Sequence, residues 1–141
     1  MNHPVKKVAA VHDLSGCGRV SLTVAIPILS AMGIQVCPLP TAVLSSHTQY
    51  PDFVFFDLTD RMSLFVNQWK QLGLQFDAIY SGYLGSPKQA SIVANLIDEF
   101  SADGQLVVVD PVLGDNRNGI LLERILPTLQ APVQISSYEL L

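Results

Sequence analysis

The chain has 141 residues, 49% of them hydrophobic and 14% charged, with a mean hydropathy of +0.35; this is too apolar for a disordered polypeptide and is sized for one folded domain, residues 1–141. Eight Lys+Arg against twelve Asp+Glu give a net charge of -4 with no basic block, which argues against a nucleic-acid partner. No apolar run approaches the roughly 18 residues of a membrane span, and the N-terminal apolar segment is too short for a secretory signal. A cytoplasmic protein with no membrane partner is expected, in which Cys17 and Cys37 are free thiols.

The first run, residues 8–11, is continuously apolar and reads as a buried strand. Asp13 to Gly18 follow as a turn. Residues 19–32 form a helix stopped by Gly33, with Pro27 expected to kink it or to leave a carbonyl unpaired. A second strand spans 34–39; Pro38 and Pro40 are expected to break any longer strand, and 53–56 forms a short one after the loop. Thr59 is positioned to cap a helix over 60–72, with Met62, Phe65, Val66, Trp69 and Leu72 on one face.

A strand at 76–80 comes next, then a loop at 81–86 and a helix over 87–100 capped by Ser86 with Pro87 at its first position. Residues 106–109, Leu-Val-Val-Val, are apolar and β-branched as in a strand covered on both faces. A helix at 119–129 and a strand at 133–135 complete the pattern. Alternating strands and helices imply a mostly parallel sheet with right-handed crossovers. Ligands in such sheets gather at the carboxyl ends of the strands.

Polar clusters lie at 12–16, 45–50, 81–86 and 110–115; the first, third and fourth follow strands and are expected on one rim, and the second sits in the proline-bounded loop. In the second, Ser45, Ser46, His47, Thr48, Gln49 and Tyr50 combine hydroxyls, an imidazole, an amide and a ring, a set able to hydrogen-bond and stack on a small polar heterocycle. The turn at 15–21 lacks the third glycine and the later acidic residue of a dinucleotide fingerprint, and no Gly-Lys-Ser/Thr exists for a P-loop. Gly16 and Gly18 are equally explained by a tight turn. His47 alone reads first as a loop histidine, and His3 and His12 have weaker claims. Asp110, at the end of a strand, is a suitable place to hold magnesium or its waters, and Asp115 reads as a turn former with Asn116.

Together Asp13-Leu14-Ser15-Gly16-Cys17-Gly18-Arg19, Leu44-Ser45-Ser46-His47-Thr48-Gln49-Tyr50, Ser81-Gly82-Tyr83-Leu84-Gly85-Ser86 and Asp110-Pro111-Val112-Leu113-Gly114-Asp115 resemble the pyridoxal/pyridoxamine (vitamin B6) kinases of the ribokinase-like superfamily and, more distantly, the phosphomethylpyrimidine kinases. The resemblance implies a three-layer α/β/α sandwich and ATP- and Mg2+-dependent phosphorylation of the 5'-hydroxymethyl group of pyridoxal, pyridoxamine or pyridoxine. It implies that Asp13, Ser15, His47, Thr48, Gln49 and Tyr83 contact the substrate, that Asp110 lies near the phosphates and Mg2+, and that the complete family member is a homodimer. Asp13 stands where many pyridoxal kinases carry serine, and Asp-x-Ser-Gly is similar to the phosphomethylpyrimidine branch.

The family's Gly-Thr-Gly-Asp motif, which supplies the general base, does not occur, and its Thr-Pro-Asn-x-x-Glu stretch is reduced to 136–141, with Glu139 as the counterpart glutamate. The chain is therefore expected to be the N-terminal half of such a kinase, inactive alone and prone to associate. A hydroxymethylpyrimidine kinase fragment and a non-catalytic vitamer-binding module are the alternatives.

Overall fold

In a computed structural model the structure describes residues 4–110 and 133–135. Nine elements run in the order β1 (Lys7–Ser15), α1 (Leu22–Ala31), β2 (Gln35–Leu44), β3 (Phe55–Asp57), α2 (Thr59–Gln71), β4 (Ala78–Ser81), α3 (Pro87–Glu99), β5 (Leu106–Val109) and β6 (Val133–Ile135). They build one sheet of order β3-β2-β1-β4-β5-β6. Every pairing is parallel except that of β3, which runs antiparallel along the outer side of β2. This is the expected α/β architecture, the arrangement of a ribokinase-like sandwich. The helix expected at 119–129, Asp115 with residues 111–115, His3 and Glu139 lie outside the described residues.

Because β2 lies on one side of β1 and β4 on the other, the chain changes direction across the sheet at β1. Right-handed crossovers then place α1 on one face and α2 and α3 on the other. On the second face Ala9, Val11, Leu39, Ile79 and Val107 pack with Met62, Val93, Leu96 and Ile97 in one buried cluster. Met62 and Val66 of α2 point into it, whereas Phe65 and Leu72 are exposed. A ladder of edge-to-face rings, Trp69 to Phe76 to Phe100, closes its lower end.

Several elements depart from the sequence reading for identifiable reasons. β1 continues through Asp13 and Ser15, with a register break between His12 and Leu14, so the expected turn begins only at Gly16. β2 runs straight through Pro38 and Pro40. The Gln35 amide donates to the Lys6 carbonyl, so alternation turns the backbone nitrogens of positions 38 and 40 away from β1. β3 pairs only Ala42 to Leu44, so both prolines sit where no ladder donor is needed.

Helix α1 starts at Leu22 rather than at 19, because Thr23 Oγ donates to the Gly18 and Val20 carbonyls and holds 18–21 as a turn. It continues through Pro27, whose missing N–H leaves the Thr23 carbonyl without its helical donor. Thr59 is the first residue of α2 and not its cap; the Asp57 carboxylate accepts from the Thr59 amide at 2.6 Å instead.

Short strand β3 begins at Phe55, two residues later than expected, because Ser45 already brackets Val54: the Ser45 amide donates to the Val54 carbonyl and its hydroxyl accepts from the Val54 amide. β4 begins at Ala78. Asp77, just before it, takes the Lys7 amide and the Lys6 ammonium on its carboxylate, while its own amide donates to the Lys7 carbonyl and its carbonyl accepts from the Leu106 amide. Ser86 caps α3 as expected, its hydroxyl accepting from the Gln89 amide. No helix among the described residues is long and apolar enough to cross a membrane.

Candidate functional site

At the carboxyl ends of β1, β2 and β4 a cleft of about 580 Å³ opens. Asp13, Ser15, His47, Thr48, Gln49 and Tyr83 all line it. Asp110 does not. It lines a second cleft of about 570 Å³ on the α1 face, with His12, Tyr80, Gly82 and the apolar side of α1. Arg19, Val20, Ser21 and Tyr83 belong to both, so the clefts adjoin at the point where the sheet order reverses, the favoured ligand position in an open α/β sheet.

The first cleft is braced from below by backbone. The Gly16 amide donates to the Leu44 carbonyl at 2.8 Å and the His47 amide to the Cys17 carbonyl at 2.9 Å, which ties the loop after β1 to the loop after β2. A side chain at Gly18 would bring its Cβ within 2.3 Å of the His47 ring, and Gly18 has φ +123. Glycine there is thus required both by the backbone and by the imidazole seated against it. His47 Nδ1 accepts from the Gln49 amide, which in the neutral ring puts the proton on Nε2, and Tyr50 meets the ring edge-on at 4.8 Å.

Asp13 is 7% exposed and holds two hydrogen bonds on its carboxylate: Ser15 Oγ donates to Oδ2 at 3.0 Å and Ser21 Oγ to Oδ1 at 2.5 Å. The strand reaching as far as Ser15 is what puts the carboxylate and the Ser15 hydroxyl on the same side, two residues apart. Phe53, Phe55, Leu44 and Val20 supply the apolar wall, and Thr48 and Gln49 stand exposed at the mouth.

The Tyr83 loop is fixed by a residue that sequence reasoning missed. Gln89 is 1% exposed. Its Oε1 accepts from the Gly85 amide at 2.7 Å, and its Nε2 donates to the Thr41 carbonyl and to Thr59 Oγ, each at 2.9 Å. One amide therefore joins β2, α2 and the loop that carries Tyr83. A polar residue at helical spacing from Ile92, Val93 and Leu96 was the only signal.

Arg19, Ser21, Phe53 and Phe55 were also unassigned, as was His12. His12 is 4% exposed, pressed against Tyr80 with ring centroids 4.3 Å apart. Its Nδ1 would lie 2.1 Å from a Cβ at position 82, so Gly82 is the space the imidazole occupies. Among the described residues His12 Nε2 and Ser81 Oγ have no hydrogen-bond partner. Burial outweighs the neighbouring Asp13 charge and lowers the His12 pKa to about 4, keeping the ring neutral at pH 7.

For a divalent cation the described residues offer little of their own: no group of three or more His, Cys, Asp or Glu could hold one. Half-buried Asp110, fixed by its amide donating to the Ser81 carbonyl at 2.7 Å, fits the mode in which Mg2+ takes one carboxylate and leaves most positions to water and phosphate oxygens.

No family model matches the chain. Among solved structures, a provisionally named phosphomethylpyrimidine kinase of Bacteroides thetaiotaomicron is 65% identical, with a TM-score of 0.78 over 84% of this chain and 41% of that one. Its crystal form with pyridoxal is 68% identical over 81% and 40%, with a TM-score of 0.77. Pyridoxal kinase from Lactobacillus plantarum is 34% identical over 80% of this chain and 40% of that one, with a TM-score of 0.73.

This is a ribokinase-like domain, related to both the pyridoxal and the phosphomethylpyrimidine kinases. Of curated relatives, the pyridoxine/pyridoxal/pyridoxamine kinase of Bordetella pertussis is 28% identical over 128 residues, which is 86% of this chain and 42% of that protein. The ribokinase-like domain thus spans about two fifths of the length of the curated relatives it matches.

Proposed function

We propose that this domain forms the heterocycle-binding part of an ATP-dependent kinase acting on the hydroxymethyl group of a nitrogen heterocycle. The observation that carries the reading is the convergence of Asp13, Ser15, His47, Thr48, Gln49 and Tyr83 on one cleft. Hydroxymethylpyrimidine is the first reading. It is supported by the Bacteroides relative's name at 65% identity and by the Asp13-Leu14-Ser15-Gly16 sequence. A B6 vitamer is the second, favoured by the same relative's crystal form with pyridoxal.

Within the cleft, Asp13 and Ser15 meet the ring's polar edge, His47 and Tyr83 flank it, and Thr48 and Gln49 close the mouth. Magnesium ATP supplies the transferred phosphoryl group, and Asp110, across the Tyr83 ridge, stands where it can hold the cation's water shell. Phosphoryl transfer depends mainly on positioning and on electrostatic stabilisation; what these residues contribute is the position of the substrate hydroxyl. Titration calorimetry of the purified chain with hydroxymethylpyrimidine and with pyridoxine tests the reading. Saturable heat is expected for at least one, weakened in Asp13→Asn, and the tighter ligand decides between the two readings. No heat and no thermal shift at millimolar concentrations of either would overturn it.

A further inference from the structure

Ser21 occupies the N-cap position of α1, where serine ordinarily accepts a hydrogen bond from an amide of the first helical turn. It makes no such bond, and its backbone is at φ 52, ψ -129, a region that a residue with a Cβ adopts only when its surroundings impose it. The surroundings do so on both sides. The Ser21 carbonyl accepts the Val24 and Ala25 amides, while Thr23 Oγ holds the preceding turn through Gly18 and Val20. The outcome is that the hydroxyl turns away from its own helix and donates to Asp13 Oδ1. A cap is forgone and a strained backbone is kept to make one bond in the cleft.

Ser15 commits its hydroxyl proton in the same way, to Oδ2. Both protons of the trio therefore point at the carboxylate. What the three side chains still present are oxygen lone pairs, so this corner of the cleft accepts hydrogen bonds and does not donate them.

We infer that Ser21 is a positioning residue that locks Asp13 as an acceptor, and that the corner selects heterocycles carrying a donor, an amino, ring N–H or hydroxyl group, on the edge that meets Asp13. The inference rests on the heterocycle-binding reading above and names the ligand feature that reading left open. A donor meeting Asp13 completes a bond to a charged acceptor. A ligand with only lone pairs at that edge desolvates the carboxylate without replacing its water.

The test uses the full chain and two ligand pairs, by calorimetry: the aminopyrimidine carbinol against the same carbinol without its amino group, and pyridoxine against its analogue without the ring hydroxyl. In wild type the donor-bearing member of at least one pair should bind about tenfold more tightly, the size of one hydrogen bond to a charged group. In Ser21→Gly the preference should fall towards unity while the chain remains folded, since glycine takes this φ freely and so offsets part of the lost bond to Asp13. In Asp13→Asn, which places an amide donor in the corner, the preference should weaken or reverse, and this variant decides if Ser21→Gly does not fold.

An unchanged preference in Ser21→Gly, or equal binding within both pairs by wild type, overturns the inference and leaves the heterocycle reading standing. Failure of wild type to bind any of the four ligands overturns both.

Discussion

Replacing Gln89 with leucine tests whether the amide at the junction of β2, α2 and the Tyr83 loop holds the site together. The substitution nearly conserves volume and removes three hydrogen bonds of 2.7, 2.9 and 2.9 Å at a side chain 1% exposed. The partners differ in what they lose. The Thr41 carbonyl still accepts from the Leu58 amide, and the Thr59 hydroxyl can rotate, so each of those bonds amounts to about 1 kcal/mol. The Gly85 amide, in a half-buried loop, has no such substitute and loses its acceptor, costing about 1–2 kcal/mol.

The sum is roughly 3–4 kcal/mol, a large part of the 5–15 kcal/mol typical of a domain. With a urea dependence of about 2 kcal/mol per molar, the midpoint should fall by about 1.5–2 M. Urea unfolding followed by far-ultraviolet circular dichroism measures it, with ligand titration at low urea to show whether loosening the Tyr83 loop also weakens binding. A midpoint within about 0.3 M of wild type at unchanged slope would refute the reasoning, since it would mean that the three partners rehydrate without cost.

Gly18→Ala must displace the His47 ring from a 2.3 Å overlap and adopt φ +123; a stability loss of about 1–3 kcal/mol and weaker ligand binding are expected, read by thermal melting and calorimetry. His12, with its folded-state pKa lowered by burial from 6.5 to about 4, makes the unfolded chain bind a proton that the folded chain refuses between those values. Stability should therefore be undiminished by this group above pH 6.5 and fall by about 3 kcal/mol as pH drops to about 4. His12→Gln should flatten that slope in urea melts taken across the window, and a slope equal to wild type would contradict it. Ser86→Ala removes the acceptor of a 3.3 Å bond from the Gln89 amide and should cost about 0.5–1 kcal/mol in the same assay.

The sequence by itself determined the class of fold and singled out six of the polar and aromatic residues that line the main cleft. Continuous apolar runs at 8–11 and 106–109 specify strands, because hydrophobic periodicity is local; the first is buried on both faces, whereas in the second Val107 and Val109 are buried and Leu106 is exposed. The Ser86-Pro87 cap was legible for the same reason: a side chain bonding three residues ahead needs no distant partner. The polar clusters at 12–16 and 81–86 could be assigned to one rim because parallel strands end on the same side of a sheet, whereas the cluster at 45–50 read only as part of a proline-bounded loop.

Tertiary structure decided what depends on residues far apart in the chain. Pro38 and Pro40 stay in β2 only because β3 reaches no further than Ala42, so their missing N–H groups face the sheet's open side. Thr59, inside α2 rather than capping it, accepts on its hydroxyl from Gln89, 30 residues away. Asp110 and His12 fall into a second cleft rather than the first because α1 lies on one face of β1 and Tyr83 stands as the ridge between the two. Ser21, read as an ordinary helix residue, proves to be the hydroxyl that sets Asp13, since only the folded turn between β1 and α1 brings those two side chains within 2.5 Å.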